Sequence, residues 1–416
     1  MCISMKLTKL ESFVVKVPPP HYGGSYFFFV KLHTDEGVYG WGENATLSVY
    51  DPLQRSYKVL LKEIFETYLK GENPLDRERL NKVLYTGITA RHTEYSTLGL
   101  VSAIDTALWD IAGKVCNQPV YNLLGGAFRK KIRSYTYIYD IKGGARPLTT
   151  VSNLWADPKR VAENAAYLVD EGFTAVKLDP VPMAHFEPPL TADERKGMDL
   201  RALLRKASYR NPYNMTLEQY QTVEEVVGAI RDAVGTKADI LIGTHGQITT
   251  ASAIRLAKVL EPFKPLWFEE PVPPENTKEM AKVARSTSIP IATGERLTTV
   301  FDFLRLLEDG AAVYLQPDLG ACGGITECKK IASVAEAYYA QMAPHVWGGP
   351  LITAAALHID ASIPNFLIQE SIYKGGGFFD ELLVEPLVWE KGYYTPPTSP
   401  GLGVDLNMDV VTTYAV

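Results

Sequence analysis

Several features are scarce in this sequence, and each scarcity excludes a class of protein. Only four cysteines occur among 416 residues; they lack the spacing of a metal site, which predicts reduced thiols. No apolar run approaches the ~20 residues of a membrane span, so no membrane partner is expected. The 42 basic and 48 acidic residues are interspersed and give a net charge of −6, which argues against nucleic acid as a partner. The start of the chain lacks an apolar signal region, so we expect a cytoplasmic protein.

The sequence does contain enough apolar material for a large core, with 46% hydrophobic residues. The chain is too long for one barrel alone and suits a barrel with a smaller domain. Residues 1–131 hold three β-rich runs followed by helical patterns, which predicts an α+β capping domain. The predicted strands are 7–17, 26–34 and 38–44, and the predicted helices are about 52–69, 76–86 and 97–115.

From residue 132 the pattern changes to short apolar runs that alternate with helical stretches. Eight such repeats over 132–376 favour a (β/α)8 barrel of the TIM type, although periodicity alone also fits an open sheet. An insertion at about 180–215 exceeds the usual 2–6 residues of a strand-to-helix loop, and we interpret it as a lid. The tail, about 377–416, is expected to pack back on the first domain. The predicted strands are 132–139, 173–178, 238–242, 265–268, 289–293, 311–315, 341–344 and 366–369.

Acidic residues and a histidine recur at intervals of roughly 25 residues, the length of one strand-plus-helix unit of such a barrel. They are Glu269, Glu295, Asp318 and His345, and each of the acids follows a short apolar run. Barrels of this type place their chemistry at the C-terminal ends of the strands. Residues far apart in sequence therefore converge on one site, which argues for an enzyme.

The chain resembles the enolase superfamily, and within it the mandelate racemase-like acid-sugar dehydratases. No single tripeptide carries this resemblance, but the order and spacing of the motifs together are specific. The motifs are Ala103-Ile104-Asp105-Thr106-Ala107-Leu108-Trp109-Asp110-Ile111, Val176-Lys177-Leu178-Asp179, Trp267-Phe268-Glu269-Glu270-Pro271, Gly294-Glu295-Arg296, Gln316-Pro317-Asp318 and Cys322-Gly323-Gly324-Ile325-Thr326.

The resemblance implies a capping domain over a modified TIM barrel, with Mg²⁺ at the strand ends as the cofactor and Mn²⁺ as an alternative. In this family a base removes the proton α to a carboxylate, and the metal stabilises the resulting enediolate. Glu269 and Glu295 match metal ligands, because hard carboxylate oxygens suit Mg²⁺. His345 with Asp318 matches the catalytic base and its orienting acid.

Two further positions match residues that contact the substrate in the family. Lys177 would neutralise the substrate carboxylate or assist its enolisation. Glu370 would hydrogen-bond a carboxylate oxygen of the substrate. The second lysine of the family's Lys-x-Lys motif is Asp179 here, which counts against racemisation by two opposed bases.

The third barrel strand departs further from the family pattern. Gly243 stands where the family has an aspartate metal ligand, and glycine has no side chain to coordinate with. His245, two positions later, matches a histidine that acts as the acid on the leaving hydroxyl. Two replacements for the missing ligand stay open: Asp179, which gives the oxygen-only shell that Mg²⁺ prefers, or His245, which favours a metal such as Mn²⁺ or Zn²⁺.

Substrate specificity is expected to come from the capping domain. His21 and Tyr22, and the segment from Arg91 to Tyr95, are the candidates to meet the distal end of the substrate, with domain-interface packing as the equal alternative. The leading hypothesis is a dehydratase of an acid sugar (aldonate or aldarate), in a homo-oligomer. The alternatives are a cycloisomerase or epimerase on the same scaffold, and a non-catalytic protein that binds a sugar acid.

Overall fold

A computed structural model describes residues 5–46, 53–139, 157–181 and 212–416 of the chain. Its first unit is an antiparallel sheet in which β2 lies between β1 and β3. The register is set by pairs such as Phe13 with Phe29 and Val30 with Gly42. The strands are β1 (Leu7–Lys16), β2 (Tyr26–Thr34) and β3 (Tyr39–Asn44).

Helices cover one face of this sheet. The longest, α3, begins after Glu94, whose carboxylate accepts hydrogen bonds from the backbone N–H groups of Ser96 and Thr97. It packs directly on β3 because Gly42 has no side chain: a Cβ there would lie 1.9 Å from the carbonyl oxygen of Ala103. The helices are α1 (Leu53–Ile64) with a π turn (Phe65–Leu69), α2 (Arg77–Thr89), α3 (Tyr95–Val115) and α4 (Val120–Leu123).

The second unit is built on eight parallel strands, β4 to β11. They pair in chain order from β4 to β10, and β11 pairs with β4. A single parallel bridge between Met342 and Phe366 links β10 to the segment that leads into β11. The strands are β4 (Ile132–Tyr137), β5 (Ala175–Leu178), β6 (Asp239–Gly243), β7 (Trp267–Glu269), β8 (Ile291–Thr293), β9 (Tyr314–Leu315), β10 (Gln341–Met342) and β11 (Gln369–Glu370).

Amphipathic helices connect these strands, and their apolar faces bury the outer side of the barrel. Leu217–Val234 begins with a capping box formed by Thr216 and Gln219. The described helices are α5 (Pro158–Asp170), α6 (Leu217–Val234), α7 (Thr250–Leu260) with a 3₁₀ turn (Glu261–Phe263), α8 (Thr277–Ala284), α9 (Thr299–Glu308), α10 (Gly324–Ala337), α11 (Pro350–Ser362), α12 (Phe378–Leu382) and α13 (Met408–Thr413).

The C-terminal tail contacts both units. Its hairpin, β12 (Trp389–Glu390) with β13 (Tyr393–Tyr394), pairs antiparallel with β4. The last residues return to the first sheet, where Ala415 bridges Val15 and the N–H of Val416 donates to the carbonyl of Val14. The tail thus joins the barrel to the sheet of the first unit.

The predicted fold, a capping domain on a barrel, is confirmed, and the barrel strands are shorter than the apolar runs suggest. In the run 311–315 only Tyr314 and Leu315 form the ladder, because Ala311 still closes the preceding helical turn through the carbonyl of Leu306. The proposed lid at 180–215 falls largely outside the described residues. Within those residues, no helix is both long and apolar enough to cross a membrane. Cys116, Cys322 and Cys328 carry no disulfide.

One buried carboxylate ties the first sheet to the barrel. Glu43 on β3 accepts hydrogen bonds from the backbone N–H groups of Gly349 (2.5 Å), Leu351 (3.2 Å) and Ile352 (3.2 Å). These are the unpaired donors at the N-terminus of α11. Glu43 therefore fixes the loop between His345 and α11 from the capping side.

We expect Glu43→Ala to lower the free energy of unfolding by about 2–3 kcal/mol, because it leaves buried N–H groups without acceptors. Urea-induced unfolding followed by tryptophan fluorescence measures the change. Glu36→Ala, in an exposed turn, is the control and should change stability by less than about 0.5 kcal/mol. Equal stability of both variants would contradict the assignment of Glu43 as a helix cap.

Candidate active site

Parallel strands bring the predicted site residues to one end of the barrel. Those that belong to the barrel all lie in the last residues of a strand or just beyond it, so their side chains share the C-terminal rim. His21 and Tyr22 lie in the capping domain, between β1 and β2. Lys177 and Asp179 belong to the end of β5, Gly243 and His245 to β6, Glu269 to β7, Glu295 to β8, Asp318 to β9, His345 to β10 and Glu370 to β11.

Lys177 is the fully buried cation of this rim. Its Nζ atom lies 2.5 Å from Glu269 Oε1 and 3.9 Å from Glu370 Oε1. The ring of Tyr137 lies beneath the ammonium group, with its centroid 4.8 Å away. Burial alone would lower the pKa of Lys177, but the carboxylates of Glu269 and Glu370 outweigh it and raise the pKa. Lys177 is therefore charged throughout the physiological pH range.

His345 and Asp318 form a hydrogen-bonded dyad. A parallel backbone bridge holds the two residues side by side, and Nδ1 of His345 lies 2.7 Å from Asp318 Oδ2. The other oxygen of Asp318 accepts the backbone N–H of Gly320 at 2.7 Å. The carboxylate is thus fixed from both sides, and it sets the tautomer of the imidazole.

The free ring nitrogen of His345 faces two more acids. Its Nε2 atom lies 3.5 Å from Glu295 Oε2 and 3.8 Å from Glu370 Oε2. Burial would lower the pKa of His345, but Glu295, Glu370 and Asp318 raise it to about 10. The imidazole is therefore a strong base whose proton affinity depends on the charge of Glu295.

A second pair of histidine and aspartate lies on the other side of Glu295. Nδ1 of His245 is 2.9 Å from Asp179 Oδ2, and its Nε2 is 4.0 Å from Glu295 Oε1. The first contact is an ion pair by distance, although the angle at Nδ1 is too poor for a hydrogen bond. Burial would lower the pKa of His245, but Asp179 and Glu295 raise it to about 9. Two imidazoles thus flank one carboxylate.

Glu295 and Glu270 lie in two different environments. Burial would raise the pKa of Glu295, but His345, His245 and Lys177 lower it to about 2. Glu270 instead pairs with Arg296, whose Nε donates to Glu270 Oε1 at 3.1 Å. Arg296 also donates to the backbone carbonyl of His245 at 2.9 Å. Glu270 therefore belongs to the support of the His245 loop.

Gly243 leaves space at the end of β6, and the carboxylate of Asp179 fills it. A Cβ at position 243 would lie 2.1 Å from Asp179 Oδ1 and 3.2 Å from Lys177 Cε. Asp179 is 2% exposed, and its Oδ1 atom has no hydrogen-bond partner among the described residues. A buried carboxylate oxygen without a partner is costly unless a cation meets it.

The donor chemistry of the rim fits a hard divalent cation. Carboxylates outnumber the cationic side chains even when both imidazoles are protonated, and their oxygens are the ligands that Mg²⁺ and Mn²⁺ prefer. Among residues 5–46, 53–139, 157–181 and 212–416, no three acidic, histidine or cysteine side chains are already gathered around one point. The carboxylates are Asp179, Glu269, Glu295, Asp318 and Glu370.

The loop with His21 and Tyr22 covers the rim from the capping domain. Tyr22 packs against Tyr139, which follows β4, and Tyr373, which follows β11, with ring centroids 4.9 and 6.1 Å apart. Gly23 approaches Gly348 so closely that a Cβ would lie 2.2 Å from its carbonyl oxygen. His21 is turned to its own loop, where Nδ1 lies 2.8 Å from the carbonyl of Val17. Tyr22 is therefore the side chain of this loop that contacts the barrel rim.

The segment from Arg91 to Tyr95 divides in the same way. Burial, Asp318 and Glu295 raise the pKa of Tyr95, which places its phenol near the rim. Thr93 lies 2.9 Å from the hydroxyl of Thr298 across the domain interface. His92 is exposed. Tyr95 is thus within electrostatic range of two rim acids, while Glu94 caps α3 and Thr93 lies at the interface. Arg91 is exposed, like His92.

Sequence reasoning gave no role to two residues that hold the acids in place. Gln316 donates from Nε2 to Glu269 Oε2 at 2.9 Å, and Arg296 holds Glu270. Both belong to motifs that carry the resemblance, Gln316-Pro317-Asp318 and Gly294-Glu295-Arg296. Their place in the same motifs as the acids could have marked them, but only the three-dimensional contacts show that they hold Glu269 and Glu270.

Comparison with known proteins identifies the family of the chain. Residues 21–125 match the mandelate racemase/muconate lactonizing enzyme N-terminal domain, and residues 160–410 match the enolase C-terminal domain-like family. The chain belongs to the enolase superfamily, in its mandelate racemase/muconate lactonizing enzyme family.

Three relatives illustrate the likeness. A D-galactonate dehydratase from Ralstonia pickettii is 35% identical over 98% of this chain and 94% of its own. One from Pectobacterium atrosepticum is 33% identical, with the same two coverages. The crystal structure of a mandelate racemase/muconate lactonizing enzyme-like protein from Roseovarius is 40% identical, with a TM-score of 0.85, and the match covers 98% of this chain and 95% of that one.

We expect Lys177→Met to lower the free energy of unfolding by about 3–5 kcal/mol in metal-free buffer, because it leaves the buried Glu269 without its cation. Chemical denaturation measures the change. Lys70→Met, which removes an exposed partner of Glu66, is the matched control and should cost less than about 1 kcal/mol. A loss as small as that of the control would show that Lys177 is not the neutralising charge.

Proposed function

We propose that the protein is a divalent-metal-dependent dehydratase of an acid sugar, an aldonate or aldarate, and that it releases a 2-keto-3-deoxy acid. One observation carries the proposal: two imidazoles, each beside an aspartate, approach the two oxygens of Glu295 from different sides. Elimination of water needs both a base and an acid. The D-galactonate dehydratases that align along nearly the whole chain support the hydro-lyase class.

The first step is removal of the α-proton of the substrate. Nε2 of His345 accepts the proton, while Asp318 holds Nδ1 and stabilises the imidazolium that forms. The electron pair of the C–H bond moves toward the substrate carboxylate. Lys177, a permanent buried cation, is placed to stabilise the negative charge that develops there.

A metal ion fits this step through Glu269 and Glu295, with a third ligand from the β5–β6 edge. Bound there, a divalent cation would coordinate the substrate carboxylate, stabilise the enediolate and offset the charge of Glu295 that raises the pKa of His345. Glu370, whose Oε2 accepts the backbone N–H of Val346 at 2.9 Å, is positioned to contact the same carboxylate.

The second step is loss of the β-hydroxyl. The imidazolium of His245 donates its Nε2 proton to the hydroxyl oxygen, the carbon–oxygen bond breaks, and water leaves. Asp179 and Glu295 favour the protonated form of His245, so that it is ready to act as an acid at neutral pH. The enol that remains gains a proton at the β-carbon, loses the proton of its hydroxyl group and becomes the 2-keto-3-deoxy acid.

The same pair of imidazoles also favours a second function, epimerisation at the α-carbon. His245, beside Asp179, offers a second base in addition to His345. The sequence had argued against two opposed bases, because Asp179 replaces the second lysine of the Lys-x-Lys motif. An epimerase would remove the α-proton with one imidazole and return a proton from the other, without loss of a hydroxyl.

Release of keto acid separates the two functions. It is measured with wild-type enzyme, Mg²⁺ and a panel of aldonates and aldarates that begins with D-galactonate. Epimerised substrate without keto acid would reject the dehydratase, and no reaction with any panel member would favour a binding protein.

We expect His345→Asn to abolish turnover and His245→Asn to abolish dehydration only. In D₂O the His245→Asn variant should still exchange the α-proton of the substrate for deuterium, because the base and its dyad are intact. Proton NMR of the substrate reports the exchange. Each substitution should lower keto-acid formation by at least about 100-fold.

His33→Asn is the control, since His33 lies on β2 of the first sheet, where it pairs with Glu11 and contacts none of the rim residues named above. Its turnover should equal that of the wild type. Retention of exchange by His345→Asn, or its loss in His245→Asn, would overturn the assigned roles while leaving dehydration itself in place.

A further inference from the structure

The backbone conformation of Gly243, at the end of β6, does not require glycine. Gly243 is absent from the positive-φ glycines of the described chain, so an ordinary side chain meets no backbone strain there. What excludes a side chain is the Asp179 carboxylate, whose Oδ1 atom would lie 2.1 Å from the Cβ. Positions 179 and 243 therefore compete for one space, and only one of them can hold a carboxylate there.

The two oxygens of Asp179 have different surroundings. Oδ2 lies 2.9 Å from Nδ1 of His245. Oδ1 is buried without a hydrogen-bond partner in the described part of the chain. One oxygen of this carboxylate therefore faces a partner, and the other is available to a cation.

Two more carboxylates follow at the ends of the next strands. Gly243 on β6 pairs directly with Glu269 on β7, and Ala292 on β8 pairs with Glu269 in turn, two residues before Gly294-Glu295. Asp179, Glu269 and Glu295 therefore offer oxygen ligands along one arc of the rim. His245 is less suited to a ligand role, because each of its ring nitrogens already faces a carboxylate.

We infer that Asp179 is the third metal ligand, through Oδ1, and that its reach from β5 replaces a ligand on β6 at the position of Gly243. Its Oδ2 atom meanwhile orients His245, so one carboxylate joins the metal to the proposed acid. The inference deepens the proposed function and rests on its metal dependence. His245 then keeps its role as the proposed acid and is not a ligand.

Metal binding to the full chain tests this inference without substrate. Mn²⁺ and Mg²⁺ are titrated by isothermal calorimetry into protein stripped with EDTA. Asp179→Ala should weaken binding by roughly 100-fold or more, beyond the 10–100-fold loss typical of an outer-shell partner. His245→Asn, which keeps an N–H group toward Asp179, should weaken binding clearly less than Asp179→Ala does, at most within the roughly 10–100-fold range of an outer-shell partner. Asp239→Asn removes an acid at the opposite end of β6, where it pairs with Arg133, and should leave binding unchanged.

A compensating variant tests the shared space. Gly243→Ala should weaken binding because its methyl group displaces the Asp179 carboxylate, whereas Asp179→Ala combined with Gly243→Asp should recover most of the affinity. Circular dichroism of the metal-free variants confirms that each is folded. Wild-type affinity in Asp179→Ala, an equal loss in His245→Asn, or a double variant no better than Asp179→Ala would each overturn the inference.

The metal and the reaction can fail separately. A wild-type protein that binds neither ion overturns the inference, and keto-acid release by that metal-free protein would show that dehydration does not depend on it. Conversely, a wild-type protein that binds Mn²⁺ through Asp179 but dehydrates none of the acid sugars supports the inference and rejects the dehydratase.

Discussion

The compensation of buried negative charge at the C-terminal rim governs the rest of this structure. Several carboxylates lie 2.5–4.0 Å from Lys177 or from one of the two imidazoles, and each would be costly to bury alone. Lys177 lies between Glu269 and Glu370, and two imidazoles flank Glu295. The perturbed pKa values of these groups follow from this crowding. The same excess of carboxylate raises the pKa of both histidines, and it provides oxygen atoms of the kind that a divalent cation prefers.

The scaffold fixes these charges through backbone contacts. Asp318 and His345 are neighbours because their strands bridge directly. Glu43 reaches from the capping sheet to the helix that follows His345, and Tyr22 packs on tyrosines beyond β4 and β11. The capping domain therefore contributes to the position of the proposed base as well as covering the site. A site assembled in this way depends on the contact between the two domains.

In the proposed exchange between positions 179 and 243, the site changes its sequence and keeps its charge. Neighbouring parallel strands lie close to 4.8 Å apart, so a carboxylate on one can reach the space of a missing side chain on the next. Its second oxygen then meets His245. The sequence of β6 has glycine where the family pattern has an acid, whereas the rim as a whole still has a carboxylate at this place, that of Asp179.

Hydrophobic periodicity and strand spacing were enough to predict the architecture, because both are local signals that can be recognised without coordinates. They also placed Glu269, Glu295, Asp318 and His345 at strand ends, since the strand-to-helix repeat is regular. Which atoms meet became known from the three-dimensional fold alone. It paired Nδ1 of His21 with a carbonyl of its own loop, packed Tyr22 on tyrosines of the barrel, and set the Asp179 carboxylate in the space beside Gly243. Those outcomes depend on side-chain directions and on the approach of strands distant in sequence, and a linear pattern carries neither.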